Sequence, residues 1–155
     1  MTRKLILGES GFSEQMAKDV EIQIETIDQS FIEQASLFAY YAEQSKAANK
    51  REMAADLQLD VIKAKIDKAI REEHAELGKK VTENGIETLV LLNPDFQKAK
   101  VSYIEAKTNA LLLRDYLTAL SHKRDCLVQL GKASREDGKS QVRSLSDDKR
   151  PKKYA

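Results

Sequence analysis

The sequence predicts an all-α fold: an elongated helical hairpin or coiled coil of two long helices and one short connecting helix. Three observations predict it. The 155 residues hold only six glycines and two prolines, and a third of them are charged. Ala, Leu, Glu, Lys and Gln dominate, and these side chains lose little rotamer freedom on a helix. From Pro94 to Leu130 the apolar residues recur with an unbroken heptad spacing.

The length fits one domain, divided into an N-terminal arm (1–27), a helical core (28–130) and a basic tail (131–155). Residues 1 to 12, with Gly8, Ser10 and Gly11, read as a loose arm, and Leu5–Leu7 is too short for a signal peptide. Val20 to Glu25 alternates apolar and polar residues, the period of an extended strand. Asp28 then stands as N-cap of the first long helix, with Ile27 and Ile32 at the spacing of a hydrophobic staple.

No Pro or Gly interrupts the chain from there until Gly78. The expected core stripe runs Phe31, Ala35, Phe38, Ala42, Ser45, Ala48, then Leu59, Ile62, Ile66, Ile70 and Leu77. Asn49 to Asp56 is its weakest part, where a break is conceivable. A continuous helix would be roughly 75 Å long. Gly78 suits a helix stop. Thr82 caps a short amphipathic segment from Glu83 to Leu92. Asn93-Pro94 restarts the chain as N-cap and N1.

In the third helix, Phe96, Ala99, Tyr103, Ala106, Ala110, Leu113, Leu117, Leu120, Arg124 and Leu127 alternate steps of three and four. That repeat calls for supercoiling against a partner helix. Beside it runs a second stripe: Ile104, Leu112, Tyr116, Ala119, Cys126 and Leu130. Two stripes exceed what one neighbouring helix covers, so a homo-oligomer is expected, with Leu113, Leu117, Leu120, Arg124 and Leu127 as its seam. Arg124 is the polar interruption that would set register. Gly131 is expected to end the helix. The tail beyond carries eight basic and four acidic residues, a net of +4 against −3 on the rest, and too few apolar residues for a core.

Residues for catalysis are scarce, and no enzyme activity, catalytic residue, metal or cofactor is expected. The two histidines, His74 and His122, follow Arg71 and Ala119 at three residues rather than the Glu a di-iron bundle needs. No phosphate-binding glycine loop, zinc spacing or nucleophile elbow occurs. The lone Cys126 lies beside the core stripe and reads as packing; it allows no intramolecular disulfide, and a reducing cytoplasm fits. No stretch approaches a membrane span.

Basic residues remain. Lys63, Lys65, Lys68 and Arg71 fall within three turns of the first long helix, with Asp60, Asp67 and Glu72 spaced to pair with them. This is either a solvated salt-bridge face or a phosphate-binding one. Tyr40, Tyr41 and Tyr103 fit base stacking or, at helical spacing, core packing.

The order of these features resembles the UvsY-type recombination mediators of tailed phages. The resemblance rests on Ile27-Asp28, Gln34-Ala35, Tyr40-Tyr41, Lys63-Ala64-Lys65-Ile66-Asp67, Thr82-Glu83, Asp95, Lys123-Arg124-Asp125 and Gln129-Leu130-Gly131, across residues 20 to 131. It implies a ring-like homo-oligomer in the cytoplasm of an infected bacterial host. Such a ring binds single-stranded DNA and helps a RecA-like recombinase displace single-strand-binding protein. The family's basic DNA-binding pair carries over to Lys63 and Lys65. Lys65 stands where the family has Arg, keeping the charge without the planar fork. The alternative is a coiled-coil scaffold or phage assembly chaperone that binds no DNA.

Overall fold

The computed structural model describes residues 11–148, with side chains as far as residue 136. Among them every regular element is helical: α1 (Phe12–Val20), a 3₁₀ turn (Ile24–Thr26), α2 (Ile27–Glu76), α3 (Glu83–Leu92) and α4 (Pro94–Asp148). The two long helices pack antiparallel along their length, and α3 closes one end of the hairpin.

Helix α2 is a single rod of 50 residues and runs straight through Asn49. It begins at Ile27, so Asp28 lies inside the first turn rather than capping it; there its charge still faces the positive end of the helix dipole. After the last turn the chain reverses at Gly78, whose φ of +63° no side chain adopts cheaply. Thr82 Oγ1 accepts from the Gly85 amide at 3.2 Å and starts α3. Asn93 Oδ1 accepts from the Asp95 amide at 2.9 Å and starts α4 behind Pro94, as the sequence predicts.

The seam of α4 follows the heptads closely. Ala110, Leu113, Leu120 and Leu127 are buried, and Phe96, Ala99, Tyr103, Ala106 and Leu117 are half-buried. The α2 side follows expectation from Ser45 to Ile70, with Ser45, Ala48 and Leu59 buried and Ile62, Ile66 and Ile70 half-buried, and departs from it at both ends, where Leu77 is exposed. Phe31, Ala35 and Phe38 lie on an exposed flank, while Gln34, Leu37, Tyr41, Ser45, Ala48 and Leu59 face α4. Gln34 Nε2 donates to the Leu120 carbonyl oxygen at 2.7 Å, which fixes this phase of α2 against α4.

Within the N-terminal arm of residues 1–27, a helix forms from Phe12 onward. Gly11 at φ +82° turns the chain into α1, and Phe12 and Met16 bury themselves against Tyr41, Ala48, Ala110 and Tyr116. Tyr116 Oη donates to the Met16 carbonyl at 2.6 Å, and Lys123 Nζ to the Asp19 carbonyl at 2.7 Å. The Met16 carbonyl, inside the helix, so gains a second donor, and the Asp19 carbonyl, in the last turn where intrahelical donors run out, gains one from the lysine. Between Val20 and α2 the chain is irregular and then 3₁₀, with no strand.

Gly131 does not end α4. The helix continues to Asp148, so the part of the expected disordered tail that falls in residues 131–148 is helical. The physical reason for glycine there is proximity: a Cβ on Gly131 would lie 3.1 Å from the Phe31 ring. The first ten residues and residues 149–155 of the tail lie outside the described residues.

Candidate functional site

The basic residues of α2 divide once the helix is continuous. Residues two apart point to opposite sides of a helix. Lys63 and Lys65 therefore do not face one ligand together, whereas Lys65 and Lys68 share a side. Lys68 Nζ lies 3.6 Å from Glu72 Oε1. Arg71 is held by two carboxylates: Nε donates to Asp67 at 2.7 Å, and Nη2 donates to Glu83 Oε2 at 2.7 Å across the turn to α3. Hydrogen bonding from Arg71 holds the carboxyls of Asp67 and Glu83 below their ordinary range, with Lys63 a lesser influence on Asp67. Arg71 is thus a clamp between α2 and α3, its guanidinium engaged by two carboxylates.

Lys65 has a different setting. It lines a groove between α2 and α4 whose floor is Ala55, Ile62, Ile66 and Ala99, and whose α4 wall carries Asp95, Lys98 and Ser102. Lys65 and Lys98 thus come from two helices to one groove, and neither forms an ion pair. Sequence reasoning missed Lys98 because it lies outside the basic run; only the antiparallel register brings it opposite Lys65.

The expected oligomer seam is largely internal. Leu113, Leu120 and Leu127 are at most 1% exposed within the single chain, packed against its own helices, and so are not available to a second copy. Leu117 is half-buried beside them. Arg124 leaves the core altogether and pairs with Asp125 at 2.8 Å; Lys123 takes the buried position next to it. Its long apolar stem fills the seam while the amine reaches the Asp19 carbonyl. Of the second stripe, Tyr116 is buried, whereas Ile104, Leu112 and Cys126 are exposed, so Cys126 is not a packing residue within the chain.

What the chain leaves uncovered is an outer stripe on α4, with Val101, Ile104 and Leu111 at heptad steps and Leu112 beside them. A matching one runs along α2 at Met53, Leu57 and Val61, spaced by four. Tyr40 and Tyr41 pack edge to face at 4.9 Å, and Tyr41 and Tyr116 at 4.5 Å, so neither Tyr41 nor Tyr116 is open to a base. Tyr103 is half-exposed.

Among the described residues no cluster of three His, Cys, Asp or Glu could hold a metal, and no helix is long and apolar enough to cross a membrane. The fold and surface thus define an α-helical hairpin with a capping helix and two uncovered apolar stripes. No protein-family model matches the chain, and no curated protein or solved structure matches it either.

Proposed function

We propose that this protein is a recombination mediator. It binds single-stranded DNA as a ring-like homo-oligomer and helps a RecA-like recombinase load in place of single-strand-binding protein. The reading draws on the resemblance to the UvsY-type family. The observation that carries it is the groove between α2 and α4, where Lys65 and Lys98 stand over an apolar floor, two cations against the single carboxylate of Asp95, with neither lysine in an ion pair. Lys63 lies on the opposite side of α2 and contributes less, because Asp60 and Asp67 neighbour it.

A second copy covers the outer stripe of α2, Met53, Leu57 and Val61, since exposed apolar surface of this kind marks association. One subunit offers few phosphate contacts. Repetition around an assembly multiplies them, because each contact after the first is intramolecular. A salt titration of single-strand binding tests the reading. Log K is expected to fall linearly with log salt, and the double variant Lys65→Ala/Lys98→Ala to lower that slope by about 1.4. A flat slope, or no change in the variant, would refute the role of the groove.

The second reading is a coiled-coil scaffold or phage assembly chaperone that binds no DNA. The cancellation of Lys68 by Glu72 and of Arg71 by Asp67 and Glu83 favours it. It keeps the oligomer and predicts no uptake of a strand at any salt concentration.

A further inference from the structure

Tyr103 stands at the edge of the α2–α4 seam, on α4, with a lysine on either side. The amines of Lys100 and Lys107 lie 5.4 and 5.5 Å from its ring centroid. Lys107 Nζ also donates to the Tyr103 hydroxyl at 3.4 Å. Arg114 follows Lys107 by the same seven residues that separate Lys107 from Lys100. The three cations therefore share one face of α4, about 10 Å apart along its axis.

Helices rich in Lys and Glu ordinarily cancel such charges at i±3 and i±4. Here none of those positions holds an acid. Lys100 has Phe96, Gln97, Tyr103 and Ile104; Lys107 has Tyr103, Ile104, Ala110 and Leu111; Arg114 has Ala110, Leu111, Leu117 and Thr118. No described carboxylate lies within ion-pair distance of any of the three. A row of uncancelled cations bracketing a partly exposed aromatic ring suits a ligand that alternates negative charges with flat apolar faces. Single-stranded nucleic acid has that chemistry, and a duplex hides its base faces.

We propose that Tyr103, Lys100, Lys107 and Arg114 form a single-stranded nucleic-acid site on α4. An unpaired base stacks on the Tyr103 ring, and the three cations take neighbouring phosphates. A lysine–ring contact at an exposed position is weak, and a phosphate is the stronger partner, so the covering amine moves aside when a strand arrives. This site rests on the single-strand-binding reading above and adds, on α4, a contact separate from the groove of Lys65 and Lys98.

The chain has no tryptophan, so Tyr103→Trp introduces one fluorophore at the site. The full-length variant is titrated with oligothymidylate, with an abasic strand of equal length and with inorganic polyphosphate. Saturable quenching is expected with oligothymidylate alone. In parallel, labelled oligothymidylate is bound to the unsubstituted chain, to Tyr103→Leu and to Lys100→Ala/Lys107→Ala. Tyr103→Leu is expected to weaken binding about fivefold or more. The double variant is expected to lower the salt slope by about 1.4. Binding with no quenching and an unchanged slope overturns the site and leaves the broader reading standing. Equal quenching by the abasic strand overturns the stacking. No binding by the unsubstituted chain overturns both.

Discussion

Tyr41 and Tyr116 are the residues on which α1 is hung. Tyr41 Oη donates to Asp19 Oδ2 at 2.7 Å and accepts from Gln15 Nε2 at 3.2 Å, while Tyr116 Oη reaches the Met16 carbonyl. Tyr116→Phe removes that hydrogen bond while the Met16 carbonyl keeps its helical donor, and is expected to cost about 0.5–1.5 kcal/mol in urea unfolding. Burial pushes both phenols well above the ordinary tyrosine value, and for Tyr41 the hydrogen bond to Asp19 pushes in the same direction. Below about pH 10 the phenols are neutral in both folded and unfolded chains, so their contribution is whole. Above it the unfolded chain releases the protons first, and stability falls as pH rises toward the folded values. The urea midpoint should drop steeply above about pH 10, and less steeply in Tyr41→Phe/Tyr116→Phe; an equal drop would contradict this assignment.

At the scale of elements, α4 was legible because its heptads are strict and its start is marked by Asn93-Pro94. The phase of α2 was legible from Ser45 to Ile70 but not in its first turns. Two stripes compete there, and the larger side chains, Phe31 and Phe38, belong to the losing one. Phase is decided by which flank α1 closes and by the bond from Gln34 to Leu120, and hydropathy reports neither. Helix α1 left a faint trace, with Phe12, Met16 and Val20 at steps of four after Gly11, but nine residues are too few to stand out. Lys123 was missed because a buried lysine betrays itself only when its acceptor is in place. The basic cluster on α2 was visible, while its division into the Arg71 clamp and the free Lys65 required the α3 turn. Phe12→Ala is expected to cost about 3–5 kcal/mol. Two-phase unfolding in which a native α2–α4 hairpin outlives α1 would show that α1 adds nothing to the hairpin.

For the molecule as a whole, two apolar seams have different jobs. The inner one, through Leu113, Leu120 and Leu127, holds the hairpin, so Leu117→Asp at its edge should unfold the chain rather than separate subunits. The outer one on α2, through Met53, Leu57 and Val61, is the face proposed for a second copy, on a different helix from the Lys100–Lys107–Arg114 row. Met53→Glu/Leu57→Glu should leave helicity intact and abolish association, with single-strand binding falling alongside as avidity is lost. If that variant assembles normally, the contact lies elsewhere on the surface. On the function proposed here, an assembly of these hairpins captures a single strand as a unit. Native mass spectrometry of the full chain, alone and with oligothymidylate, reads this directly. One closed oligomer that gains the mass of a strand without changing its subunit number is the expected result. A monomer under both conditions, or an oligomer that never takes up a strand, would contradict it.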